Sequence, residues 1–175
     1  SMFLDRPIEV DPETRESWLT FRVFNFDPSF SPPGKTAVVV FLATNNDEFW
    51  RHLRETDRGR YEAEKLRVAD EVCRAFEARF PQAREKIEVV DVATPSTVIR
   101  YTGNWRGSME GWLLTPSTGF KALPPVLPGL DGFYMAGQWT SPGGGLPSGL
   151  MTGRAVARRI CKDAGVRWRR PVPRP

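Results

Sequence analysis

Apolar residues alternate with polar ones along some stretches of this chain and recur at helical spacing along others. From Ser17 to Phe24, Trp18, Phe21 and Val23 are interleaved imperfectly with polar residues, which predicts a strand. Asp27 to Gly34 is a proline-rich connection. Thr36 to Thr44 is β-branched and strongly apolar, the pattern of a central strand buried on both faces. Asn46 to Leu53 predicts a short helix with Asn46 as its cap. The clearest helix runs from Tyr61 to Phe80, with Leu66, Ala69, Val72 or Cys73, Phe76 and Phe80 on one stripe and Pro81 as its stop. Ile87 to Val92 alternates and reads as a third strand, and Thr94-Pro95 then opens another helix with proline at its first position. The order β, β, α, β, α predicts an α+β fold, a small antiparallel sheet covered by helices on one face.

The densest information lies between Pro128 and Arg154. Pro128-Gly129 and Asp131-Gly132 are turn pairs, and Phe133 to Ala136 is a short apolar run compatible with a strand. Pro142-Gly143-Gly144-Gly145 cannot continue that strand, and three glycines allow a close backbone approach. Pro147 fits the first turn of a helix, on which Leu150, Gly153, Ala157, Ile160 or Cys161, and Ala164 recur at helical spacing. Such a helix start points unpaired N–H groups and a positive dipole end at whatever sits over the loop. There is no G-K-[ST], and Gly143-x-Gly145-x-x-x-Gly149 misses the G-x-G-x-x-G spacing. No acidic residue about 20 positions on follows a second strand, as a nucleotide ribose would need. Taken by itself, the stretch is either a ligand cradle or a glycine-rich turn with no ligand.

The run G-F-Y-M-A-G-Q-W-T-S-P-G-G-G-L-P-S-G-L-M-T-G-R-A resembles the C-terminal flavin motif of phytoene desaturase and carotenoid isomerase-like proteins, within the amine-oxidase-like FAD family. Phe26 to Lys35 resembles the D-P-x-x-A-P-x-G-K stretch of that family, and Tyr61 to Lys65 its helix opening. Ala93-Thr94-Pro95, Arg100 to Gly103 and Gly111-Trp112 resemble its T-P…R-x-T-G…G segment. The resemblance covers roughly Ser17 to Cys161, and the last motif is the specific one.

It implies a fragment of a two-domain flavoprotein. Residues 3–115 would be part of the substrate-binding domain, and 116–168 the terminal strand, glycine-rich loop and helix of the FAD domain. The parent would be an FAD-dependent oxidoreductase that desaturates or isomerises a lipophilic polyene. Gly137, Gln138, Gly145, Leu146, Pro147, Ser148 and Gly149 would contact the cofactor, the backbone of Gly137 and Gln138 near its phosphate or ribitol. The helix start after Gly145 would stabilise negative charge on the reduced flavin ring. Tyr101, Asn104, Trp105 and Gly107 would lie near the substrate, although that segment is also compatible with a plain loop. No acid–base pair is recognisable, and flavin chemistry does not require one.

Two departures matter. The N-terminal dinucleotide-binding half is absent from this sequence, and Gln138 stands where many relatives carry an acid. Ser1-Met2 reads as a leftover residue before a start methionine, so the chain is expected to be an expressed fragment or a truncated gene product. The missing half is then its natural partner. Alone, the chain is expected not to retain FAD, to be inactive, and to self-associate through surface the parent would cover. The alternative is a non-catalytic stand-alone module derived from such an enzyme.

Composition narrows the rest. The longest unbroken apolar run, Ala37 to Ala43, is far too short to span a bilayer, and no signal pattern opens the chain. Cys73 and Cys161 match no metal or redox spacing, which suits a reducing cytoplasm. His52, the single histidine, sits in a polar stretch and reads as a surface residue. The net charge of +4 comes largely from Arg154, Arg158, Arg159, Lys162, Arg167, Arg169 and Arg170. No nucleic-acid motif accompanies it, so a solvated helix face is the plain reading, with peripheral attraction to anionic lipid as a second. The proline-rich tail, 169–175, is expected to be disordered.

Overall fold

A computed structural model describes residues 1–112 and 114–169; of the expected tail, everything beyond Arg169 lies outside the described residues. The fold is α+β, built from two small antiparallel sheets and four α-helices, and it divides into two compact units, the second beginning at Ser108.

In the first unit, strands β1 (Met2–Asp11) and β2 (Thr14–Leu19) form a hairpin, and β3 (Phe21–Val23) pairs with β4 (Val38–Val40). Three helices follow: α1 (Asp47–Thr56), α2 (Arg58–Arg79) and α3 (Pro95–Thr102). β1 has no counterpart in the sequence reading. Its signal is the alternation of Met2, Leu4, Ile8 and Val10, broken at Pro7, which falls where the ladder shifts register between Phe3 and Ile8.

The expected strand over 17–24 is split; Phe21 packs inward as anticipated, but Trp18 does not. Leu19 is 0% exposed while Trp18 is 53% exposed, because successive strand residues face opposite sides and Leu19 shares the inward side with Phe21. The expected central strand over 36–44 shrinks to β4. Among the described residues its one partner is β3, and only one face is covered: Val40 packs against the core and Val39 on the other face is exposed. Residues 87–92 form no strand; Val89 and Val90 are exposed and meet no partner strand among the described residues. Alternation makes a strand only where an edge can be paired. The observed order is therefore four strands followed by three helices rather than ββαβα.

The helices follow their local signals closely. The Asn46 side chain accepts the Phe49 amide at 3.1 Å, and Asp47 and Glu48 occupy the first turn of α1, where the dipole favours them. Asp57 closes α1 through its amide and caps α2 by accepting the Arg60 amide at 2.9 Å. Pro81 follows the end of α2 as expected. The core joins Ile8 and Leu19 of the hairpin to Trp50 and Leu53 of α1 and Tyr61 and Val68 of α2. Of the stripe anticipated on α2, Ala69 is buried and Val72 packs against the core, whereas Leu66 is exposed; Tyr61 and Val68 widen the buried face. Phe76, with Phe21 edge-on at 5.1 Å and Phe80 at 5.0 Å, carries the packing to β3. The buried Tyr61 hydroxyl lies 2.8 Å from Thr94 Oγ1 at the start of α3.

Asp11, buried at the end of β1, ties the hairpin to α1. Its carboxylate accepts from Thr44 Oγ1 at 2.5 Å, Asn46 Nδ2 at 3.4 Å and the Glu13 amide at 2.9 Å. Burial pushes this carboxyl up, but hydrogen bonds led by Thr44 outweigh it and hold it below the usual carboxylate range.

In the second unit the expected strand over 133–136 reduces to one bridge, Val126 to Tyr134, extended by the Met135 amide bonding to the Pro125 carbonyl. Helix α4 (Gly145–Asp163) begins where the glycine run predicts it. Its buried face is shifted from the anticipated one, keeping Gly153, Ala157 and Cys161 half-buried but centring on Val156. Val156 is 8% exposed, whereas Leu150 is 76% and Leu146 is 91% exposed.

Candidate functional site

Within the second unit, a turn of Gln138–Thr140 and the run Ser141 to Gly144 lead into α4. Pro142 and the glycines cannot pair as strand, so the chain must turn, and Gly143, Gly144 and Gly145 all take positive φ. Gly144 does more than turn. A Cβ there would lie 2.0 Å from the Gly111 nitrogen, and a Cβ at Gly111 would lie 2.4 Å from the Gln138 carbonyl oxygen. The two glycines therefore let backbone pack on backbone. Trp112 closes the same contact: its indole nitrogen donates to the Trp139 carbonyl, and the two rings meet edge-on at 6.2 Å.

Thr152, two turns into α4, docks the helix start onto the preceding loop. Its hydroxyl accepts the Gly137 amide at 2.9 Å and donates to the Ser148 carbonyl at 2.7 Å. The Gly137 carbonyl accepts from Thr140 Oγ1 at 2.8 Å, so both polar groups of Gly137 are engaged inside the unit. The sequence reading did not single out Thr152. Its signal was a helical threonine four residues after Ser148, placed to bond back to that carbonyl. At the far end of α4, Asp163 accepts from Arg159 and from the Tyr134 hydroxyl. Those two bonds hold the Asp163 carboxyl down, and the same bond pushes the Tyr134 hydroxyl up.

An open groove lies at the start of α4. It is lined by Gln138, Gly145, Leu146, Pro147 and Gly149, together with Met109, Glu110 and Leu150. Five of the seven expected cofactor residues thus share one surface; Gly137 and Ser148 are not on its wall. Met109 and Glu110 are additions that spacing could not reveal, since the Gly111–Gly144 contact is what brings them there. The wall at Gly149 is bare backbone, with nothing within 4 Å of where a Cβ would project. At Gly145 the Glu110 carboxylate sits 3.8 Å from where that residue's own Cβ would project. The groove therefore combines helix N-terminal amides, an acceptor carboxylate and apolar walls from Leu146, Leu150 and Met109. That donor and acceptor set fits a flat heterocycle presenting both N–H and C=O groups, such as the flavin ring.

The four residues expected near the substrate belong to the first unit. Tyr101 is exposed on the last turn of α3, under the Arg100 guanidinium at 4.3 Å. Trp105 is exposed beside Arg106 in a short turn with Asn104 and Gly107. Arg106, at φ 53°, donates to Asp47 Oδ1 at 2.6 Å, which pins this turn to the start of α1. Gly107 has no room for a side chain, since its Cβ would lie 2.7 Å from the Pro95 Cα. His52 is exposed, and both thiols are free. Among the described residues no group of three or more metal-ligating side chains occurs, and no helix is long and apolar enough to cross a membrane.

The family profile described as flavin containing amine oxidoreductase matches residues 4–161. Among curated proteins, the chain is 29% identical over 147 residues to a chloroplastic prolycopene isomerase of Daucus carota, covering 83% of this chain and 23% of that protein. Prolycopene isomerase 1 of an Oncidium hybrid cultivar is 28% identical over 147 residues, covering 83% and 24%. The Arabidopsis thaliana prolycopene isomerase is 28% identical over 141 residues, covering 80% and 23%. The chain thus spans about a quarter of the length of the curated relatives it matches. No solved structure matches it.

Proposed function

We propose, from the premise that this chain belongs to the flavin containing amine oxidoreductase family, that it forms the C-terminal part of an FAD-dependent enzyme acting on a lipophilic polyene. The observation that carries this reading is the α4 groove, where bare glycine backbone, helix N-terminal amides and apolar side chains converge. Gln138 and the Gly145–Gly149 turn would hold the ring of FAD, with the Glu110 carboxylate accepting from an N–H at its edge. FAD, when bound, supplies the electron chemistry. The chain's own contribution is orientation and exclusion of water: Leu146, Leu150 and Met109 offer a dry wall for the polyene. The relatives are named as prolycopene isomerases, which favours isomerisation of a double bond over desaturation. Gly137, engaged by Thr152, would shape the turn rather than touch the cofactor.

The remaining half of the FAD site would come from an N-terminal dinucleotide-binding domain of the longer protein. The chain alone is expected to bind FAD weakly and to turn nothing over. In the full-length protein, Gly145→Val is expected to reduce FAD retention and lower the flavin potential, while Arg169→Ala leaves both unchanged. Full flavin content and an unaltered potential in the valine variant would reduce the loop to a turn. Submicromolar FAD binding by this chain alone would show that it needs no second half.

A further inference from the structure

We propose that the first unit carries an oxyanion site, distinct from the α4 groove, which takes a phosphate group. Arg58, Tyr61 and Lys65 follow one another at i, i+3 and i+7, so they share one face of α2. Thr97, Arg100 and Tyr101 likewise share one face of α3. With Arg54 from the last turn of α1, these residues enclose a cavity of about 160 Å³. That space holds roughly five waters at about 30 Å³ each, ample for one phosphate group.

The charge on this wall is unbalanced. Four cations, Arg54, Arg58, Lys65 and Arg100, face a single carboxylate, Asp91. Asp91 forms no ion pair with them among the described residues. Arg58 and Lys65 share Glu62, at 2.8 and 3.0 Å. Arg54 and Arg100 have no carboxylate partner among the described residues, and Arg100 rests on the Tyr101 ring instead. Like charges gathered on one small cavity repel, and an anion between them reverses the sign of that interaction. Guanidinium groups come from three different helices. A tetrahedral phosphate offers oxygens in as many directions, whereas a planar carboxylate offers two in one plane. Thr97 and Tyr101 complete the rim. The phosphate can belong to a free phosphate compound or to a lipid headgroup, and the chemistry of the site is the same for both.

The test uses the whole chain with two probes: inorganic phosphate by titration calorimetry, and phosphatidylcholine vesicles with and without phosphatidic acid by flotation. Saturable phosphate binding is expected, weakened about tenfold or more by Arg54→Gln and by Arg100→Gln, the loss of a charge-assisted hydrogen bond each. Arg158→Gln on α4 should leave it unchanged. Arg100→Lys, which keeps the charge but removes the fork, should weaken it less than the glutamine variant. If phosphate is silent and phosphatidic acid vesicles are bound through Arg54 and Arg100, the source is a headgroup. Absence of both signals in the folded chain overturns the proposal. So does a signal that survives both glutamine variants, or one that falls equally with Arg158→Gln.

Discussion

Replacing Gly144 with alanine probes the contact that builds the groove. Gly144 has φ 54° and ψ −151°, a conformation essentially confined to glycine. Holding an alanine there costs about 1–3 kcal/mol. Its Cβ would also lie 2.0 Å from the Gly111 nitrogen and 2.5 Å from its Cα, so two backbone segments must part. Neither atom is the movable end of a side chain, and relief of such overlap adds about 1–3 kcal/mol. The sum, about 2–6 kcal/mol, is a large share of a typical domain stability of about 5–15 kcal/mol. Gly143→Ala is the matched control. Gly143 has φ 84° with nothing within 4 Å of its Cβ position, so only the left-handed penalty of about 1–2 kcal/mol applies. Urea unfolding gives the two values. Tryptophan fluorescence and near-ultraviolet circular dichroism report on the Trp112–Trp139 pair that closes the same contact. Gly144→Ala should be the more destabilised by about 2.5 kcal/mol, the gap between the midpoints of the two ranges, with an altered tryptophan signal. Equal losses for the two variants, with the tryptophan signal intact, would refute the claim that the Gly111–Gly144 approach organises the site.

Three further outcomes are expected. Asp11→Asn should cost about 2 kcal/mol at neutral pH, since the buried carboxylate gathers several donors. Its folded pKa lies below the unfolded one, so that stability is fully present above the unfolded carboxylate pKa and fades as pH falls through the folded value. Variant and parent curves from pH-dependent unfolding should therefore converge in acid, and a gap constant with pH would contradict the assignment. Tyr61→Phe should lose about 1 kcal/mol by leaving Thr94 one partner short, and a variant as stable as the parent in urea would remove that hydrogen bond from the account. The isolated chain should dimerise or associate further through the exposed Leu146 and Leu150, and Leu146→Glu with Leu150→Glu should return it to monomer. A strictly monomeric parent in sedimentation at high concentration would count against this.

Local chemistry was legible in the sequence wherever the cause lies within a few residues. Asn46 caps α1, Thr94-Pro95 opens α3, Pro81 follows α2, and the glycine run starts α4, because each signal acts on backbone groups one turn away. The flavin family was also legible, since its most specific motif is contiguous from Gly132 to Ala155. Long-range pairing was not. Residues 87–92 alternate as a strand should, yet among the described residues no edge receives them, and Thr36 to Thr44 reads as a central strand although one described neighbour alone pairs with it. Phase was decided in the same way: Leu19 rather than Trp18, and Val156 rather than Leu150, turned inward once the packing partner was in place. The site repeats the lesson. The sequence named Gly145 and Gly149, but only tertiary structure brought Glu110 and Met109 beside them, through a glycine-to-glycine contact 33 residues apart in the chain that no periodicity encodes.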